Sequence, residues 1–326
     1  MLATKKLKKI CILVPAYNEQ EVLTEFHKRV CAVIEGLTNY IFTFLFVNDG
    51  SMDDTLCIIK GLQNKDSRIA YLDLSRNFGK EAAMLAGLDY AQADAVIIMD
   101  ADLQNPPELI PRFIECWEQG YDDVYGKRVS RENESLPKRL GTKLYYFLLT
   151  RLAHVPVQVN VGDFRLLDAK CVAALRKMRE TQRYTKGMFS WIGYKKKEVL
   201  FEVAPRLAGT TKWNYQKLIN LAIEGLTSYT IVPLRIASIM GFLISLCAIV
   251  YMLYIIIKTL IYGIDWPGYP SLVSIVLFIG GTQLIVLGII GEYLGKVFNE
   301  TKNRPLYLLN EYRRSEQEDS GVSNKD

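Results

Sequence analysis

Ala95-Val96-Ile97-Ile98-Met99-Asp100-Ala101-Asp102-Leu103-Gln104 decides the fold. Five apolar residues ending abruptly in two carboxylates read as a short buried parallel strand that delivers acids to the edge of a sheet. Along extended chain alternate side chains point the same way, so Asp100 and Asp102 face one point, and Gln104 adds an oxygen at the same spacing. Such a donor set suits a hard divalent cation, Mg2+ or Mn2+, which keeps several waters and bridges protein carboxylates to substrate phosphates. The competing reading is a surface turn, because Asp favours turns. The triplet alone does not separate the two; its neighbours do.

Two other apolar runs end in polar signatures. Ile10–Val14 runs into Pro15-Ala16-Tyr17-Asn18-Glu19, and Phe42–Val47 runs into Asn48-Asp49-Gly50-Ser51. Helical patterns follow over about Gln20–Glu35 and Asp53–Asn64, and a third unit pairs strand Ile69–Leu74 with helix Lys80–Ala91. Strands alternating with helices predict an α/β fold, a mostly parallel, Rossmann-like sheet with right-handed crossovers. Ligands of such sheets bind outside the carboxyl ends of the strands, so Glu19, Asp49, Asp100 and Asp102 are expected on one edge. The first strand is not followed by G-x-G-x-x-G, and no Walker loop is present. What remains is a nucleotide site whose diphosphate is neutralised by a metal.

Composition excludes several alternatives. Only His27 and His154 occur among 326 residues, which argues against a His-based metal site or a Ser-His-Asp triad. Cys11, Cys31, Cys57, Cys116, Cys171 and Cys247 show no paired spacing and read as small core residues in a reducing compartment. The net charge of +5 is modest, and no nucleic-acid partner is expected.

Apolar residues are unevenly distributed. Ile236–Ile257 and Trp266–Gly291 carry no charge, and each exceeds the roughly 20 residues that span a bilayer's hydrocarbon. Two transmembrane helices are therefore expected over 233–298, with Gly241, Gly280, Gly281, Gly288 and Gly291 permitting close packing. The connection Tyr262–Tyr269 lacks Lys and Arg, whereas Arg235, Lys296, Lys302, Arg304, Arg313 and Arg314 flank the pair on the other side. The positive-inside rule then places both termini in the cytoplasm; Lys258 dissents mildly and can snorkel. The basic start Lys5–Lys9 does not open a signal peptide, because the apolar stretch breaks at Pro15 and Glu19. Leu136, Leu140, Leu144, Phe147, Leu148 and Leu152 recur at helical spacing beside Lys138, Arg139, Lys143 and Arg151, which suits a helix of about 136–152 on an anionic membrane surface. Pattern alone equally allows a helix packed on its own domain. A second interfacial segment, about 213–232, leads into the first span. The expected layout is a cytoplasmic domain over 1–212, these interfacial helices, the two spans, and a cytoplasmic tail over 299–326 whose end, from Ser315, reads as unstructured.

Several motifs in order carry a resemblance. Val14–Glu19, Asn48–Ser51, Arg76-Asn77-Phe78-Gly79-Lys80-Glu81, Asp100–Glu108, Asn160–Leu166, Ala208–Lys212 and Gly291–Gly295 are similar to signatures of the inverting GT-A glycosyltransferases of family 2. Within them the chain resembles the polyprenyl-phosphate glycosyltransferases, most nearly the bactoprenol (undecaprenyl-phosphate) glucosyltransferases, over about residues 8 to 308. The resemblance implies that Pro15, Tyr17, Glu19, Val47 and Asp49 hold the nucleoside of a UDP-sugar. It implies that Asp100, Asp102 and Gln104, with Ala101 alongside, hold Mg2+ or Mn2+ against the diphosphate. Arg128, Arg206 and Lys212 would contact donor or acceptor phosphates. Asp163 matches the position of the catalytic base. Membrane lipids and a homo-oligomer, the tetramer included, complete the implied partners, and the implied product is a lipid-linked sugar for cell-envelope glycan modification.

Two phosphates must approach in such a transfer, so cations are needed on the acceptor side as well. Lys127, Arg131, Lys138 and Arg139 are placed for a lipid headgroup, with Arg165 as a further candidate. A polyprenyl phosphate has a second pKa near 6 and is mostly dianionic at neutral pH, so proton abstraction contributes little. Asp163 is therefore expected mainly to orient a neighbour such as Arg165, or the acceptor. Rival readings keep the fold and change the donor to UDP-N-acetylglucosamine, a UDP-amino sugar, or GDP-mannose with dolichyl phosphate. Another makes the chain a non-catalytic scaffold or flippase. A processive synthase is disfavoured, because Gln182-Arg183-Tyr184-Thr185 does not supply Gln-x-x-Arg-Trp.

Overall fold

The computed structural model describes residues 7–129, 161–181, 183, 185–202, 232–262 and 268–316. They fall into two compact units, one holding a sheet and its helices, the other two long helices.

The first unit is built on eight strands: β1 (Lys8–Ala16), β2 (Tyr40–Asn48), β3 (Ile69–Leu74), β4 (Ala95–Ile98), β5 (Asp123–Arg128), β6 (Val161–Asp168), β7 (Lys196–Phe201) and β8 (Leu309–Arg313). Their order is β7-β5-β6-β4-β1-β2-β3-β8. The four strands predicted from the apolar runs form the parallel centre, with β1 between β4 and β2, and β3 beyond β2. The flanks depart from a purely parallel sheet: β6 runs antiparallel to β4, β5 antiparallel to β6, and β8 antiparallel to β3.

Period-two alternation along β1 sends Ile10, Ile12 and Val14 to one face and Cys11 and Leu13 to the other, all buried. The first face receives α1 (Leu23–Ile34), whose Leu23, Phe26, Val30 and Ile34 recur at helical spacing. Phe26, Phe44 and Phe46 are fully buried there, each worth roughly 1.5–3 kcal/mol relative to exposure. Helices α2 (Thr55–Gln63) and α4 (Ile110–Glu118) complete that layer. The other face receives α3 (Lys80–Tyr90), in which Ala82 to Leu88 are all buried. Alanines and Gly87 let this helix lie close to β1: a Cβ on Gly87 would stand 2.0 Å from Leu13 Cδ1. Helices α5 (Ala169–Lys177) and α6 (Thr185–Trp191) extend the layer.

The second unit contains α7 (Val232–Tyr262, 31 residues) and α8 (Tyr269–Thr301, 33 residues). At 1.5 Å per residue each exceeds the roughly 30 Å of a bilayer's hydrocarbon. Among the described residues one stretch, Phe278–Thr301, is long and apolar enough to cross a membrane, and Ala237–Tyr251 is a shorter apolar stretch. Large apolar side chains on both helices are exposed, among them Phe242, Leu260, Leu284 and Leu294.

The tail corrects an expectation. After α8 the chain supplies β8 to the sheet, and Ser315, expected in an unstructured end, is buried while the Glu316 N–H donates to the Ser67 carbonyl at 3.1 Å. The cysteines also differ in part: Cys11, Cys116 and Cys171 are buried, but Cys57 and Cys247 are exposed. The expected interfacial segment 136–152 lies outside the described residues, as does 213–232 except for Val232, which begins α7.

Candidate active site

The carboxyl ends of β1, β2 and β4 adjoin one another, and the loops that follow them are tied together. The Asn18 N–H donates to Ser51 Oγ (3.0 Å), the Glu19 N–H to Thr55 Oγ1 (2.8 Å), and the Met52 N–H to Asn18 Oδ1 (2.9 Å). Asn18 adopts φ +54°, which asparagine tolerates better than most residues. Asp49 faces inward: its two carboxylate oxygens accept the Phe78 and Gly79 N–H groups at 2.7 and 2.9 Å. Gly50 makes this approach possible, since a Cβ there would stand 2.3 Å from the Arg76 carbonyl carbon. The first residue of α3, Lys80, is thereby fixed above the sheet edge.

Beyond β4 the chain turns, and Leu103 adopts φ +56°. The strand stops at Ile98, so extended alternation is not what aligns the acids, yet the inward and outward pattern persists. Ala101, Leu103 and Asn105 are buried, while Asp100, Asp102 and Gln104 are partly exposed. Asp102 Oδ1 accepts the Gln104 N–H at 3.1 Å.

Strand β6 brings the next acid. Ile98 lies opposite Arg165 as the last pair of the β4–β6 ladder, so Asp100 and Asp163 both lie two residues beyond it, at the same end of the two strands. Two facing carboxylates need a cation, and Lys80 provides it: Nζ is 2.6 Å from Asp100 Oδ1 and 2.6 Å from Asp163 Oδ2. Burial opposes the Lys80 ammonium, but the two acids hold its pKa above the ordinary lysine value. Burial raises the Asp100 carboxyl in spite of Lys80. For Asp163 burial acts in the same sense but is outweighed by Lys80, aided by Lys186 and Arg165, and the carboxyl sits below its usual range. Asp163 Oδ1 is buried with no hydrogen-bond partner among the described residues.

Next to Lys80, Glu81 accepts the Thr185 N–H at 3.2 Å, and burial, with Asp163 nearby, pushes its carboxyl up to about 7. An acid raised in the folded state costs stability in full above that value, and the cost fades as pH falls to its unfolded value. Glu81→Gln is therefore expected to raise the melting temperature at about pH 8 and to leave it nearly unchanged at about pH 4, below the ordinary carboxyl value. Scanning calorimetry at the two pH values checks this.

The site residues expected from sequence sort into three groups. Tyr17 is exposed, Pro15 and Glu19 are partly exposed, and all three sit on the β1 edge as anticipated. Arg128 ends β5 and lies against Gly162, where a Cβ would be 3.8 Å from its Nη2; its Nε is buried without a partner among the described residues. Lys127 is partly exposed and pairs with Glu198 at 2.9 Å.

Three positions differ from expectation. Val47 is fully buried beneath α3, which removes its side chain from contact with a nucleoside. Asp49 is 3% exposed and bonded to the β3–α3 loop, so it positions that loop. Arg165 is 1% exposed, paired with buried Asp123 at 3.2 Å and stacked 3.5 Å from the Phe189 ring centroid, so it is unavailable to an acceptor phosphate. Nor is it the ion-pair partner of Asp163; that partner is Lys80, which sequence reasoning quoted only as part of a motif. Arg131, Lys138, Arg139, Arg206 and Lys212 lie outside the described residues.

Asp100, Asp102 and Gln104 fit a hard divalent ion: all are oxygen donors, they share the exposed side of one turn, and Asp100 already faces a cation in Lys80. A separate cluster, His27, Cys31 and Asp66, gathers three metal-binding side chains within 4.8 Å. Arg68 occupies Asp66 at 2.7 Å and Cys31 Sγ at 3.2 Å, making that cluster an ion-pair network.

Residues 11–175 match glycosyl transferase family 2, and residues 232–297 match the GtrB C-terminal hairpin. An uncharacterized glycosyltransferase of Synechocystis sp. is 45% identical over 302 residues, 93% of this chain and 95% of that protein. The prophage bactoprenol glucosyl transferase homolog of Escherichia coli is 42% identical over 301 residues, 92% of this chain and 98% of its own. Among solved structures, glucosyl-3-phosphoglycerate synthase from Mycobacterium tuberculosis, in complex with Mn2+, UDP-glucose and phosphoglyceric acid, aligns with 68% of this chain and 78% of its own. At 15% identity and a TM-score of 0.43 it is too distant to argue from.

Proposed function

The chain belongs to glycosyl transferase family 2, and we propose that it transfers glucose from UDP-glucose to undecaprenyl phosphate at the cytoplasmic face of the membrane, with inversion. Sugar and acceptor follow the name of the Escherichia coli relative, which matches nearly end to end. The observation that carries the reading is the facing pair Asp100 and Asp163 around one cation, at the edge where β1, β2 and β4 end.

Each part of the site has a task in that reaction. Tyr17 offers an exposed ring to the uracil, and Pro15 and Glu19 shape the same end. Asp100, Asp102 and Gln104 would hold Mg2+ or Mn2+, which when bound neutralises charge on the leaving diphosphate. Arg128 and, from outside the described residues, Arg206 and Lys212 would add cationic contacts to phosphate. Lys127, Arg131, Lys138 and Arg139 would receive the acceptor headgroup. The acceptor arrives already deprotonated, and Asp163 is a weak base because Lys80 stabilises its anion. Asp163 therefore acts as a positioning residue through Lys80. Asp163→Asn, which can still accept a hydrogen bond from Lys80, is expected to retain far more activity than Asp163→Ala. Equal, near-total loss in both would restore the role of base.

Topology supports membrane anchoring by two spans. The chain leaves the sheet-bearing unit before α7 and returns to it as β8, so an even number of crossings separates the two points. With α8 carrying a span-length apolar stretch, two crossings are the smallest count that fits, α7 making the other, and both ends of the hairpin would then face the cytoplasm. Glycines 241, 280, 281, 288 and 291 have nothing within 4 Å of an added Cβ, leaving open faces for association into a homo-oligomer.

Donor identity is tested by offering UDP-glucose, UDP-N-acetylglucosamine, a UDP-amino sugar and GDP-mannose to membranes with undecaprenyl phosphate. UDP-glucose is expected to lead by about tenfold or more. A lead by another donor would reassign the sugar.

A further inference from the structure

We propose that Lys80 is an exchangeable internal cation: it occupies Asp100 in the free protein and must release it for a divalent ion to bind, so that metal loading depends on the arrival of a nucleoside diphosphate. The inference rests on the metal-dependent transferase reading above and assigns the regulation of that same site.

The geometry is specific. Lys80 Nζ stands 2.6 Å from Asp100 on the β4 turn and 2.6 Å from Asp163 on β6. Its backbone is held by Asp49 through the neighbouring Phe78 and Gly79 N–H groups, so the residue cannot drift from the edge. Its side chain remains 43% exposed, against 26% for Asp100 and 13% for Asp163, so the flexible stem can move without repacking. Asp100 is thus claimed twice, by the ammonium and by the cation its turn is built to bind.

Both claims cannot be met together. A divalent ion on Asp100 would sit within a few ångströms of the ammonium, and like charges at that range repel strongly in a partly buried site. Lys80 retains Asp163 as a partner once it lets go of Asp100, and its ammonium has three donors, of which the two acids use two. A diphosphate offers that ammonium new acceptors and adds oxygen ligands for the ion. Nucleotide and metal should therefore bind with positive coupling, and linkage makes that coupling reciprocal. Lys80 delays metal loading until there is a donor to activate.

The test is Mn2+ binding, read from the free-ion electron paramagnetic resonance signal on the detergent-solubilised full chain, with and without UDP and corrected with protein-free UDP. Wild-type protein is expected to bind Mn2+ weakly alone and about tenfold more tightly with UDP. Lys80→Met is expected to bind Mn2+ without UDP about tenfold more tightly than wild type, with a smaller gain from UDP. Lys80→Arg keeps the charge and should behave like wild type, and Lys28→Met, a distant surface change, controls for net charge. If Lys80→Met is misfolded by circular dichroism, Lys80→Gln takes its place. Mn2+ affinity of the folded variant equal to or below wild type without UDP would overturn the inference alone. Failure of wild type to bind Mn2+ even with UDP would overturn the metal reading and this inference together.

Discussion

Asp102→Ala is expected to lower sugar transfer by about 10²–10³-fold while the protein remains folded with a melting temperature within about 2 °C of wild type. The separation of the two effects follows from the surroundings of the side chain. Asp102 is partly exposed, and its one hydrogen bond given by the structure is the local one from the Gln104 N–H. Little of the fold depends on it. Its neighbours in sequence, Ala101 and Leu103, are buried and hold the turn in place without it. What the substitution removes is an anionic oxygen where the leaving diphosphate gathers charge, a loss felt in the transition state more than in the ground state. The fall should therefore be largely in kcat, and raised Mg2+ should restore part of it. Retention of transfer within about threefold of wild type would remove Asp102 from the metal site.

Arg165→Leu is expected to act on the fold, destabilising it by about 3–5 kcal/mol, because removing one partner strands a buried charge. Arg165 is 1% exposed and Asp123 0%, with Nη1 at 3.3 and 3.2 Å from the two carboxylate oxygens. Nη2 donates to the Gly162 carbonyl at 3.3 Å, so the same guanidinium fixes the segment carrying Asp163. A cost of that size is a large fraction of the stability of an ordinary domain. Combining Arg165→Met with Asp123→Leu should recover much of it, since both charges then leave the interior. Urea denaturation of the detergent-solubilised proteins measures the difference. A single variant as stable as wild type would show the pair to be solvated.

The central sheet was legible because its four parallel strands are apolar runs buried on both faces, each ending in polar residues. Ile69–Leu74 matches β3 at both ends, and the other three agree to within a few residues. The flanks were not legible. Strand β7 begins with lysines and lies at the sheet's edge, where burial imposes no apolar pattern. Strand β8 is five residues long and follows two apolar helices, so its pairing with β3 has no local signature. The site shows the same division. Asp100 and Asp102 announced themselves at the end of a strand, but the facing of Asp163 and Asp100 depends on an antiparallel register between segments about sixty residues apart. Lys80 was hidden for that reason. Arg165 was misread because a cation near a presumed catalytic acid suggests phosphate binding; it shares its face of β6 with Asp163, but two residues further along that face it is closed over by Phe189 and paired with buried Asp123. Cys31 and His27 illustrate the reverse: few in number and unpaired in sequence, they join Arg68 and Asp66 in a network that only the fold assembles.

Metal-assisted transfer of glucose onto a lipid phosphate can be followed in the purified protein. Purified full-length protein is given undecaprenyl phosphate, radiolabelled UDP-glucose and Mg2+, and label is followed into the butanol-extractable fraction with and without EDTA. The expected product is an acid-labile glycolipid that forms only with the lipid present, stops on chelation and resumes with excess Mg2+. Label released as free glucose, or a lipid product formed equally well in EDTA, would contradict it.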